Sequence, residues 1–147
     1  MREPPILLVE DNPDDEALTL RAFKRSNVVN DIDVVRDGQE ALDYLFGGDS
    51  NLAAKPIPAM ILLDLKLPKV DGLDVLKQVR ATDATKLVPV VILTSSHEEA
   101  DLIATYGHGA NSYVRKPVDF NQFAESVRQL GLYWLVVNQA PPVPALS

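Results

Sequence analysis

One apolar run ending on a carboxylate, Ala59-Met60-Ile61-Leu62-Leu63-Asp64, constrains this chain more than any other feature; Pro58 opens it and Pro68 follows four positions on. A run this short, bounded by prolines, reads as a strand buried on both faces. An aspartate in mid-run would be a costly buried charge. At the carboxyl end it emerges where open α/β sheets hold their ligands. Asp64 is therefore a candidate functional carboxylate, although this stretch alone reads equally well as a strand-ending cap.

The pattern recurs along the chain. Ile6-Leu7-Leu8-Val9 ends on Glu10-Asp11, and Asn12-Pro13 then starts a helix to about Ser26, its first turn loaded with Asp14, Asp15 and Glu16. Asp31 to Arg36 has the alternation of an edge strand, and Asp37 and Glu40 are spaced as a capping box ahead of Ala41, Leu42 and Leu45. Gly47 to Pro58 reads as a loop. Asp71-Gly72 leads into a helix with Leu73, Leu76 and Val79 at helical spacing. Leu87 to Leu93, with Pro89 inside it, is a fourth strand that ends on Thr94. A polar helix over about Glu98 to His108 follows, then a fifth strand, Asn111 to Arg115, ending on Lys116-Pro117. Asp119 and Gln122 open a last helix with Phe120, Phe123, Val127 and Leu130 as its buried stripe. Five βα repeats imply an α/β fold, with parallel βαβ units and right-handed crossovers in a three-layer sandwich.

In such a sheet the strand ends share one edge, so Glu10, Asp11, Asp64, Thr94 and Lys116 converge there. Three close carboxylates need a cation, and an all-oxygen donor set selects a hard ion such as Mg²⁺. A carboxylate beside that ion can attack phosphorus and form an aspartyl phosphate. Asp64, the central acid, is the candidate nucleophile; Glu10 and Asp11 hold the metal, while Thr94 and Lys116 hold the phosphoryl group.

Other α/β chemistries fit less well. A nucleotide-binding turn after the first strand would be Gly-rich, whereas Glu10-Asp11-Asn12-Pro13-Asp14-Asp15 repels phosphate unless a metal intervenes. A dehalogenase-like phosphatase follows its nucleophile with an acid two residues on, and here Lys66 stands there. A serine hydrolase needs Gly-x-Ser-x-Gly and a catalytic histidine, and neither His97 nor His108 has that context. The net charge of −7 opposes nucleic-acid binding, and the absence of cysteine excludes disulfides and thiolate metal sites. No apolar run approaches the roughly 18–20 residues that span a bilayer, so a cytoplasmic location is expected.

These residues in this order resemble the receiver domain of two-component response regulators, over about residues 5 to 130. The resemblance implies a flavodoxin-like (βα)5 sheet of order 2-1-3-4-5 and phosphotransfer from a histidine kinase onto Asp64. It implies Mg²⁺ held by Glu10, Asp11, Asp64 and the backbone carbonyl of Lys66. It also implies phosphoryl contacts from Thr94 and Lys116, a switch in which Tyr113 moves with Thr94, and a cis peptide before Pro117. No turnover of an external substrate is expected. Val9 to Pro13, Leu63 to Lys69, Gly109 to Tyr113, Arg115 to Phe120 and Gly131 to Leu135 are similar to small receivers that partner cyanobacterial phytochromes, which implies a light-sensing kinase. The alternative is a pseudo-receiver that binds partners and never takes phosphate.

Beyond Gly131 the run Leu132-Tyr133-Trp134-Leu135-Val136 is apolar on every side. A helix apolar all round wants cover. With Phe120, this run is the candidate interface of a homodimer through the fourth and fifth helices. Residues 1–139 are expected to form one domain, with the fifth helix reaching about residue 138 and a Pro-rich, disordered tail over 140–147. No output domain is expected.

Overall fold

The computed structural model describes residues 4–25, 30–47, 57–94, 104, 106–115 and 125, and the side chains of residues 94 and 112–115 fall outside that description. Four-residue apolar runs form β1 (Ile6–Val9) and β3 (Met60–Leu63), both buried throughout. The alternating β2 (Ile32–Val35) keeps Asp33 exposed, as its edge position allows. With β4 (Val90–Thr94) and β5 (Ser112–Arg115) they make one parallel sheet of order β2-β1-β3-β4-β5. The order reverses between β1 and β3, and the crevice beyond their carboxyl ends is where such sheets bind ligands.

Side-chain alternation divides the core into two layers. Leu7, Val9, Ile61, Leu63, Val90 and Ile92 pack against α2 (Gly38–Phe46) and α3 (Gly72–Ala81) through Ala41, Tyr44, Val75, Leu76 and Val79. Ile6, Leu8, Met60, Leu62, Val91 and Leu93 pack on the opposite face against Ala22 and Phe23 of α1 (Pro13–Arg25). Tyr44, which sequence spacing does not mark, is buried, and its hydroxyl donates to Asp33 Oδ2 at 2.5 Å. Burial, then the hydrogen bond to Asp33 and its charge, push that phenol well above its usual range.

The helix starts are set by side chains. Asn12 Oδ1 accepts from the N–H groups of Asp14 (2.9 Å) and Asp15 (3.2 Å), a cap ahead of Pro13. Asp37 Oδ1 accepts from the Glu40 N–H at 2.7 Å, while Glu40 Oε1 accepts from the Arg36 N–H at 3.2 Å. The expected capping box thus closes one residue earlier than its usual form. The fourth strand also begins later than Leu87. Pro89 has no N–H to donate, the ladder starts with its carbonyl accepting from Ile61 N–H (2.9 Å), and Leu87 sits in a turn, 52% exposed. Most of the fourth helix, all but residue 125 of the last, most of the Gly47–Pro58 loop, the domain end near 139 and the 140–147 tail lie outside the described residues.

Arg80, at the end of α3, ties the amino ends of β4 and β5 together. Its guanidinium donates to Gly109 O (2.9 Å), Lys86 O (3.1 Å), Val88 O (2.7 Å) and Asn111 Oδ1 (2.9 Å). Asn111 Oδ1 also accepts from Val90 N–H at 2.9 Å. Desolvation lowers the arginine's pKa. Arg80→Ala leaves several oxygens without donors and is expected to cost about 2–4 kcal/mol, read as a shifted midpoint in urea unfolding.

Candidate functional site

Strand register builds the site. Val9 and Leu63 are partners on β1 and β3, the Asp64 N–H donates to Val9 O (3.1 Å), and the Glu10 N–H donates to Val35 O (3.0 Å). Glu10 and Asp64 therefore leave neighbouring strands side by side at the switch point. Asp11 follows directly. One ligand oxygen from each of the three lies within 4.8 Å of the others. Glu10 and Asp64 are 1% and 7% exposed, while Asp11 faces solvent. Glu10 Oε2 accepts from the Asn12 N–H and Asp64 Oδ1 from the Lys66 N–H, each at 3.3 Å, and these bonds aim the two carboxylates. The donor set fits a hard divalent cation: oxygen only, two acids held by backbone, and a third, Asp11, open to solvent, as suits an ion that would retain waters.

The other expected site residues come from neighbouring strand ends. Thr94 closes β4 and pairs with Arg115, the last residue of β5, so both backbones end at the same edge as Asp64. The side chains of Thr94 and Tyr113 fall outside the described residues, as do Lys116, Pro117, Phe120 and Leu132 to Val136.

The segment from Asp64 to Gly72 is held from two sides. Gly72 N–H donates to Leu65 O (2.8 Å), and a Cβ at Gly72 would stand 2.0 Å from Asp64 O. At the other flank Pro68 O accepts from both Gly38 N–H (3.2 Å) and Val70 N–H (2.8 Å). A Cβ at Gly38 would stand 1.8 Å from Val70 O. The Val70-to-Pro68 bond closes a three-residue turn around Lys69, whose φ of 68° lies in the left-handed region. Lys69 Nζ lies 3.6 Å from Asp37 Oδ2. The Glu40 N–H, and secondarily Lys69, hold the Asp37 carboxyl below its usual range. Asp37 is thus a buried acid facing the Asp64–Gly72 segment that sequence spacing marks only as a helix cap. The repeated Asp-Gly pair, 37–38 and 71–72, is the sequence signal for both helix starts that clamp this segment.

Comparison with known proteins gives a consistent result. The response regulator receiver domain family matches residues 6–128. The response regulator Rcp1 of Synechocystis sp. is 37% identical over 92% of each chain, and its Mn²⁺-bound structure superposes with a TM-score of 0.85 over 95% of this chain and 100% of that one. The bacteriophytochrome response regulator RtBRR is 52% identical in structural alignment, with a TM-score of 0.77 over 97% of this chain and 86% of that one. A probable methanogenesis regulatory protein, FilR2 of Methanothrix harundinacea, is 42% identical over 92% of this chain and 86% of its own.

Proposed function

The chain belongs to the response regulator receiver domain family, and from that premise we propose that Asp64 accepts a phosphoryl group from a histidine kinase in a Mg²⁺-dependent reaction. The observation that carries this reading is the Glu10–Asp11–Asp64 cluster at the switch point of the sheet. Mg²⁺, when bound, supplies the positive charge that balances the carboxylates and the phosphoryl oxygens. Glu10, Asp11, Asp64 and the Lys66 carbonyl would hold it. A carboxylate oxygen of Asp64 forms the new bond to phosphorus as the bond from phosphorus to the donor imidazole nitrogen breaks, with the electron pair leaving on that nitrogen. The Lys66 N–H fixes the orientation of Asp64 for this attack. Thr94 and Lys116 donate to the phosphoryl oxygens, and Thr94 together with Tyr113 transmits the change to the surface of the fourth helix, β5 and the fifth helix, where a second copy of the chain docks. The similarity to the bacteriophytochrome response regulator RtBRR supports a phytochrome-type light sensor as the kinase.

Intact mass after incubation with acetyl phosphate and Mg²⁺ tests the reaction. One phosphoryl group per chain is expected, and none when EDTA replaces Mg²⁺. If neither acetyl phosphate nor a phosphorylated phytochrome-type kinase adds mass, the chain is a binding adaptor. Sedimentation of the phosphorylated form tests the dimer; a monomer at micromolar concentration would exclude it.

A further inference from the structure

Beyond the acidic cluster, a chain of polar contacts links α1, the start of α2 and the Asp64–Gly72 segment. Glu16 Oε2 on α1 pairs with the Arg36 guanidinium at 3.0 Å. The Arg36 N–H meets Glu40 Oε1, the Glu40 N–H meets Asp37 Oδ1, and Asp37 Oδ2 faces Lys69 Nζ. Helix α1 follows directly on Glu10 and Asp11, and Lys69 lies in the segment that begins with Asp64 and Lys66. This chain of contacts therefore joins the two stretches of chain that bring ligands to the site. Its last link falls on a turn whose lysine adopts a left-handed backbone. A left-handed lysine is conformationally disfavoured and is kept only where its surroundings hold it.

We propose that Asp37 and Lys69 are positioning residues for the divalent-cation site: their contact fixes the Asp64–Gly72 segment against the start of α2. The proposal rests on the phospho-acceptor reading, because it needs the cation to bind at Glu10, Asp11 and Asp64. Asp37 uses its two oxygens for different tasks, one capping α2 and the other facing Lys69. Serine at this position keeps the cap and loses the second contact. Lys69 is 70% exposed, so the pair is weak, and the ion's affinity can change by no more than the pair contributes.

The test is calorimetric titration of the full chain with Mg²⁺ at 0.15 M ionic strength, roughly the salt at which the Debye length falls to about 8 Å. Lys69→Met and Asp37→Ser are each expected to raise the Mg²⁺ Kd about threefold, within the range an exposed ion pair allows, with melting temperatures in EDTA lowered by no more than about 3 °C. The sign for Lys69→Met is decisive. Removing a positive charge near a cation site tightens binding if the lysine acts only through space, and loosens it if the lysine positions the segment. Adding Lys69→Met to Asp37→Ser is expected to cause no further loss. Tighter or unchanged binding in Lys69→Met, or additive losses in the double variant, would overturn the proposal. Absence of Mg²⁺ binding by the unaltered chain removes the metal reading and this inference with it; binding that Asp64→Asn weakens and Lys69→Met does not removes the inference alone.

Discussion

Asp64→Asn is expected to reduce phosphoryl uptake to the detection limit while leaving the fold intact. The amide matches the carboxylate in shape and can keep the bond from the Lys66 N–H through its oxygen, so that contact survives the change. An amide oxygen is a poor nucleophile toward phosphorus, so the chemistry stops. The same substitution removes one of three acids whose oxygens lie within 4.8 Å. Relief of that repulsion is expected to raise stability in EDTA by about 1–3 kcal/mol, between the values that Coulomb's law gives at this separation in bulk water and near a protein surface. Mass spectrometry and thermal unfolding in EDTA read the two effects independently. Retained labelling in the Asn variant would move the acceptor to another residue.

Gly72→Ala should be, with Gly38→Ala, among the most damaging small substitutions at the described residues of the site. Its Cβ would meet Asp64 O at 2.0 Å and Leu65 Cα at 2.7 Å, both backbone atoms that no rotamer change can clear. Either α3 or the Asp64 segment must shift. The expected cost is about 3 kcal/mol in urea unfolding, at the upper end of overpacking penalties, together with loss of measurable Mg²⁺ binding. Gly47 is the control. It has φ of 87°, but a Cβ there would meet nothing within 4 Å. Gly47→Ala is therefore expected to cost only the left-handed penalty of about 1 kcal/mol and to leave Mg²⁺ binding unchanged.

The strands and their order of use are legible in the sequence because each is a short apolar run that a polar residue closes. Glu10, Asp11 and Asp64 can be grouped without coordinates because parallel sheets gather their strand ends at one edge. The entry to β4 lies later than the sequence suggests, since Leu87 and Val88 extend an apolar run that only Pro89 punctuates. Arg80 is invisible in the sequence for a deeper reason. Three of its four partners are backbone carbonyls, which carry no residue identity. Gly38 and Gly72 read as helix starts and not as points of contact, because close approach is a property of two segments meeting and not of either alone. Asp37 reads as a cap, but its second oxygen's partner lies 32 residues away in sequence, beyond the reach of local spacing.

The Arg80 contacts sit at the amino ends of β4 and β5, across the sheet from the acidic cluster. Mechanically, this strand pair is anchored at one end. Its base is bolted to α3 and to the turn before β4, and its tip is the Thr94–Arg115 pair beside the site. With the base fixed by Arg80 and β4 held along β3 from Val90 to Ile92, the register of the pair is set away from the Thr94–Arg115 tip, and a change at the tip has no need to slip it.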